Sequence, residues 1–178
     1  MDMMNKDNLR KLMLERRKNI LNKKELSINI FDKLLDLDIY KNSRVIALYY
    51  SLCDEVDTRD IIPRLLNKKI VLLPKVINDK MIFIKINKDT KYNKSNVGIL
   101  EPLGKEYLDN IDLIIVPGVS FDREHNRLGF GKGYYDKYLK DKDIYKIGIC
   151  FNKQLTDTLP IDDYDIKMDL IITEKELI

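Results

Sequence analysis

The chain has 178 residues, 44% of them hydrophobic and 34% charged, and a formal net charge of +3. That is enough chain to bury a core in one domain, residues 1–178, and too little charge to argue for nucleic acid without a clustered basic face. No run approaches ~18 apolar residues, so no membrane span is expected. The start, Met1 to Asp7, is polar and has no signal-peptide core, which makes the cytoplasm the expected location. Cys53 and Cys150 stand at no metal-like spacing and read as buried free thiols, with a disulfide between them left open by spacing. The single histidine, His125, gives no His-based zinc site and reads as a solvated loop residue.

Residues 5–22 read as a helix with Leu9, Leu12, Met13, Arg16 and Ile20 on one face. Lys6 and Arg10, four apart, point the same way; they make either a solvated basic face or a pair of cations awaiting a phosphate chain. A second helix is expected from Lys24 to Asp38, with Leu26, Ile30, Leu34 and Leu37 as its apolar stripe. Arg44 to Tyr50 is a continuous apolar run typical of a strand buried on both faces. Thr58 then caps a helix from Arg59 to Leu66 that carries Pro63 near its first turn. Glu55 sits in the loop between them, at the carboxyl end of the strand, where open α/β sheets bind ligands. A carboxylate there can accept the paired donors of an amino-pyrimidine edge, or merely favour the nearby helix terminus.

Ile70 to Lys75 reads as another buried strand and Met81 to Ile86 as an edge strand, joined by Asn78-Asp79 in a hairpin. Residues 87–105 read as a long loop. Leu113 to Val116 is a buried strand leading into a stretch that holds Gly118, Gly129, Gly131 and Gly133, four of the seven glycines. Tyr134 to Leu139 leads out as a helix. Glycine lets a backbone approach a ligand closely, successive N–H groups form a concave anion site, and the following helix adds the positive end of its dipole. Arg127 and Lys132 add full charges, and Asp136 a carboxylate that a hard cation could bridge to phosphate oxygens. The pattern is neither a Walker A loop nor a Rossmann fingerprint, so spacing leaves open whether it binds polyphosphate and Mg²⁺ or is only a turn. Lys146 to Phe151 is a strand, Asn152 to Leu155 a short helical turn, and Leu170 to Thr173 a last strand after an acidic stretch, 161–169. Helices alternating with short buried strands predict a layered α/β fold with a largely parallel sheet.

Val116-Pro-Gly-Val-Ser-Phe-Asp122, followed by Arg127-Leu-Gly-Phe-Gly-Lys-Gly-Tyr-Tyr-Asp136, resembles the signature of the 5-formyltetrahydrofolate cyclo-ligase (5,10-methenyltetrahydrofolate synthetase) family. Weaker blocks extend the resemblance: Lys6-x-x-x-Arg10, Ser51-x-x-x-Glu-Val-Asp-Thr58 and Gly98-Ile-Leu-Glu-Pro102. Relatives often carry an aromatic residue where this chain has Val97, and some carry arginine where it has Phe130. The resemblance implies a three-layer sandwich, a central sheet between helices, similar to phosphosugar isomerases and CoA transferases. It implies that ATP and Mg²⁺ convert 5-formyltetrahydrofolate to 5,10-methenyltetrahydrofolate, ADP and phosphate. Lys6, Arg10, Arg127, Leu128, Gly129, Phe130, Gly131, Lys132, Gly133, Tyr134 and Tyr135 would then meet ATP, and Lys132, Arg127 and Tyr135 would serve catalysis. Tyr50 and Glu55 would contact the folate, and Asp136 and Asp169 the metal. Only small-molecule partners, no membrane or nucleic acid, and a monomeric state are expected. The competing reading is a non-catalytic sensor of a phosphorylated sugar or nucleotide on the same fold.

Overall fold

A computed structural model describes residues 5–95 and 98–178. The continuous apolar runs become a six-stranded sheet of order β11-β9-β6-β1-β2-β3. Its strands are β1 (Val45–Ala47), β2 (Ile70–Ile77), β3 (Lys80–Ile86), β6 (Leu113–Pro117), β9 (Tyr145–Ile149) and β11 (Leu170–Ile172). All neighbours run parallel except β3, which pairs antiparallel with β2 at the edge. The hairpin turns on Asn78 and Asp79, both at positive φ (49° and 58°), as a two-residue hairpin loop requires.

Both faces of the sheet are covered, which is why its strands are apolar throughout rather than alternating. Ile46 and Leu48 face Ile30, Phe31, Leu34 and Leu65, side chains of α2 (Lys23–Asp36) and α4 (Ile62–Leu66); Tyr40, from α3 (Asp38–Asn42), joins the same cluster. Val45 and Ala47 belong to the opposite cluster with Leu139 of α5 (Tyr134–Leu139). A smaller third cluster, Leu9, Met13, Val119, Leu128 and Leu159, seats α1 (Lys6–Lys18).

Several expectations change in detail. The first helix stops at Lys18 and its inner stripe is Leu9, Met13 and Arg17; Leu12 and Arg16 face solvent. The second helix ends at Asp36, a short α3 follows, and Phe31 joins its buried face. Thr58 does not cap a helix with its side chain: its Oγ1 donates to the Tyr49 carbonyl and accepts from Ser51 N–H, and α4 begins only at Ile62. Residues 87–105 are not all loop, because β4 (Tyr92–Lys94) and β5 (Leu100–Pro102) pair antiparallel. Val97 lies outside the described residues. Cys150 is buried, but Cys53 is exposed; both are free.

Between β6 and α5 the chain makes β7 (Ser120–Asp122) and β8 (Arg127–Leu128), an antiparallel pair, and β7 also pairs with β10 (Leu155–Thr156). Gly118 and Gly148 make room for the Phe121 ring, since a Cβ on either would stand 2.5 Å from it. His125, expected in solvent, is half-buried at φ 68°, with Nδ1 3.0 Å from the Met168 carbonyl, tying this hairpin to the segment before β11. Among the described residues no helix is long and apolar enough to cross a membrane.

Candidate functional site

From β1 the chain crosses to β2 on one side of the sheet, then returns to form β6 on the other. The carboxyl ends of β1 and β6 therefore diverge, and a crevice opens where α/β sheets place their ligands. Arg17, Tyr49, Glu55, Pro117, Gly118 and Gln154 line a narrow cleft there, too tight in this conformation for a water molecule. The loop after β1 supplies one wall and the end of β6 with Gly118 the other; the glycine-rich loop after β8 lies beside it, with Phe130 over Arg17.

That glycine-rich loop is held from both sides. Gly131 (φ 96°) and Gly133 (φ 65°) adopt backbone that side-chain-bearing residues rarely take. Gly129 is needed for a different reason: a Cβ there would meet Arg127 Nη1 at 2.8 Å. Arg10 reaches across from α1, its Nε donating to the Gly129 carbonyl at 2.8 Å. The helix that follows has only six residues, so its dipole is short and the positive charge must come from side chains.

Each of these cations but one has an internal partner. Arg127 donates from Nη2 to Asp136 (2.9 Å) and from Nη1 to the Pro117 carbonyl (3.3 Å), and it lies over the Tyr135 ring. Among the described residues its buried Nε has no partner. Arg10 pairs with Asp7. Lys6 sits between Asp162 (2.6 Å) and Asp165 (2.5 Å); desolvation lowers its pKa, but these two hydrogen bonds outweigh that and raise it. Lys132 is exposed and makes no hydrogen bond or ion pair among the described residues.

In the loop after β1, Glu55 is buried, accepting from Leu52 N–H at 2.8 Å. Burial pushes its carboxyl up, and the Leu52 hydrogen bond and the Arg17 charge partly offset this. Arg17 itself is 2% exposed; Nε and Nη2 each lie 3.0 Å from Asp54, while Nη1 lies 3.5 Å from Glu55 without a hydrogen bond. Phe130, from the glycine-rich loop, covers this guanidinium at 5.4 Å. Tyr135 packs against the α5-face cluster with its ring 5.5 Å from the Arg127 guanidinium; burial drives its hydroxyl pKa far up, Arg127 lowers it and Glu55 raises it.

A sequence model of the 5-formyltetrahydrofolate cyclo-ligase family matches residues 2–174. The chain belongs to the 5-formyltetrahydrofolate cyclo-ligase family. It is 35% identical over 180 residues to the 5-formyltetrahydrofolate cyclo-ligase of Mycoplasma pneumoniae, covering 97% of this chain and all of that one. It is 31% identical to the mouse enzyme over 166 residues, 83% of this chain and 82% of the relative. The structure of Aquifex aeolicus 5,10-methenyltetrahydrofolate synthetase superposes with a TM-score of 0.88 at 36% identity, covering 98% of this chain and 92% of that one.

Of the site residues expected from the sequence, Glu55 lines the cleft, and Arg10, Arg127, Gly129, Phe130, Gly131, Lys132, Gly133 and Tyr135 gather at the glycine-rich loop beside it. Leu128 turns its side chain into the third cluster, leaving only its backbone for a ligand. Tyr134 packs against the cluster on the α5 face. Tyr50 is half-buried, its ring 5.9 Å from that of Tyr92. Asp136 binds Arg127 through Oδ2 and accepts Ile166 N–H through Oδ1. Asp169 lies before β11, at the amino end of the sheet, where it accepts Lys146 N–H and pairs with Lys146 Nζ, both at 2.7 Å. The two carboxylates share no partner, and among the described residues no group of three or more His, Cys, Asp or Glu could hold a metal. Two features escaped sequence reading: the buried Arg17, because an arginine inside an apolar stripe reads as polar, and the acidic residues on Lys6, which are far away in sequence.

Proposed function

We propose that this chain performs the reaction its relatives are named for, closing 5-formyltetrahydrofolate to 5,10-methenyltetrahydrofolate with ATP as co-substrate. The observation that carries this reading is a cleft at the sheet's switch point that holds a buried carboxylate, Glu55, beside a glycine-rich loop that bears Lys132 and reaches the cleft through Phe130, set over Arg17. ATP's triphosphate would lie along 129–133, met by Lys132, Lys6, Arg10 and the free Nε of Arg127. The pterin edge would meet Glu55, with Tyr50 beside it.

A formamide oxygen is a poor leaving group. Its attack on the γ-phosphorus forms an O–P bond and releases ADP. N10 then attacks the formyl carbon, the C–O bond breaks, and phosphate departs with that oxygen while N10 gives up its proton. Such phosphoryl transfer needs positioning and charge neutralisation rather than a protein nucleophile. Lys132 and Arg127 would neutralise the transferring group, and Tyr135 would hold the substrate oxygen. Mg²⁺ takes one or two carboxylates and completes its shell with phosphate oxygens and water. Asp136 fits that requirement through the lone pairs its two hydrogen bonds leave free; Asp169, committed to Lys146, fits it less well. When bound, the ion would draw off phosphate charge. We read the fold as similar to phosphosugar isomerases and CoA transferases, and the protein as a cytoplasmic monomer.

The test is to mix the protein with 5-formyltetrahydrofolate, ATP and Mg²⁺ and follow the methenyl chromophore. Absorbance that grows only with all three supports the reading. No change with folded protein, together with calorimetric binding of sugar phosphates, would favour the sensor instead.

A further inference from the structure

The reading above gives Glu55 the task of receiving the pterin edge, and the inference here rests on it. We propose that Arg17 is a positioning residue for folate: its guanidinium, buried against Asp54 and Glu55 beneath Phe130, holds the Glu55 carboxylate ionised and aimed into the crevice. Three observations carry this. Arg17 is the largest side chain that is almost wholly buried, although it sits on a helix with ample solvent-facing positions. Its Nε and Nη2 are both spent on Asp54, so the guanidinium cannot rotate away, yet Nη1 faces Glu55 at 3.5 Å with no hydrogen-bond partner. Phe130, although in the glycine-rich loop and 45% exposed, shields this charge pair from water.

A core that wanted only stability at this place would be as well served by a hydrophobic side chain. Glu55 has its own reason to need a cation. Desolvation favours its neutral form, which would present a donor where the ligand also donates. The titratable and charged groups that face it are Arg17 from α1, Asp54 from its own loop, Tyr49 from the segment just after β1 and Tyr135 from α5. Both tyrosines have pKa values raised well above neutrality, so Arg17 and Asp54 set the charge around it, with opposite sign.

That opposition makes a test. Binding of 5-formyltetrahydrofolate is measured by calorimetry without ATP, from about pH 4, near the ordinary carboxyl value, up to about pH 8. Affinity should fall as pH drops and Glu55 protonates. Arg17→Met should weaken folate about tenfold at neutral pH, the effect of a lost interaction with a charged group, and move the acid loss to higher pH. Arg17→Lys should restore most of the affinity. Asp54→Asn removes the like charge and should move the acid loss to lower pH; its carboxylate is partly exposed, so this variant tests the idea even if Arg17→Met fails to fold. ATP KM should stay within about twofold in all three. A lower melting temperature fits either role, but a merely structural role would not shift the pH profile in opposite directions. Unchanged pH profiles overturn the proposal. Folate binding lost in Glu55→Gln but intact in folded Arg17→Met overturns this inference alone; no folate binding by folded wild type overturns the functional reading with it.

Discussion

Gly129→Ala asks what the first glycine of the motif is for. A Cβ there would lie 2.8 Å from Arg127 Nη1 and 3.4 Å from Cζ, so the guanidinium must move. The tip of a solvated arginine would swing aside almost freely. This side chain is 5% exposed, bound to Asp136 at 2.9 Å and to the Pro117 carbonyl at 3.3 Å, and stacked 5.5 Å over Tyr135. Outright loss of one partner of a buried pair costs about 3–5 kcal/mol, and overpacking about 1–3 kcal/mol. A displaced but still charged guanidinium falls near their overlap, about 2–3 kcal/mol. At about 2–4 °C per kcal/mol for a chain this size, the melting temperature should drop by about 4–12 °C. Circular dichroism during heating measures it. The cause is isolated by repeating the substitution in an Arg127→Met background, where the clashing atoms are gone: the added cost there should be below about 0.5 kcal/mol. Equal costs in both backgrounds would refute the clash.

Lys132→Ala should raise ATP KM about tenfold while leaving the unfolding midpoint unchanged, because the lysine is exposed and makes no hydrogen bond or ion pair among the described residues. Asp165→Asn should do the reverse, lowering ATP KM about two- to threefold by loosening Lys6, an effect that fades with added salt; a higher KM would remove Lys6 from the nucleotide site. Gly148→Ala would put a Cβ 2.5 Å from Phe121 and 3.1 Å from Met168, both buried, and should lower the urea midpoint by the equivalent of about 3 kcal/mol. Hydrogen bonding to Arg59 holds the Asp57 carboxyl below its usual 3.8. The stability this gives is present above that value and lost as pH falls through the lower folded pKa, so Asp57→Asn should flatten the acid end of the stability curve.

The parts of this fold set by local rules could be read before the structure was known. The 134–139 helix appears with its expected bounds, and Asn78-Asp79 makes the hairpin that positive φ at both positions demands. What escaped was set by contacts distant in sequence. β7 and β8 are only three and two residues long and exist because β10, from residues 155–156, completes their sheet. Leu12 has the right spacing for a core face, but α1 meets the sheet through a narrow third cluster whose stripe runs 9, 13, 17. At the site, the glycines and Lys132 were visible as a motif. The pairing of Arg127 with Asp136, nine residues apart, was not, since both had been read as facing ligand.

That pairing bears on how the cations divide their work. A buried charge cannot wait unpaired: its effective desolvation penalty is several kcal/mol, so Arg17 and Arg127 need Asp54, Glu55 and Asp136 even in the empty site. Such pairs cannot be exchanged cheaply for phosphate, so Arg17 is better suited to shape the crevice, and Arg127 to meet phosphate only through its remaining Nε while it keeps Asp136. Lys6, Arg10 and Lys132 keep more contact with solvent, and exposed ion pairs are worth about 0–1 kcal/mol, so an arriving triphosphate can replace Asp7, Asp162 and Asp165 at little cost. Substitutions at Lys6, Arg10 and Lys132 should therefore change ATP KM and its salt dependence, whereas substitutions at Arg17 and Arg127 should change folding and turnover together.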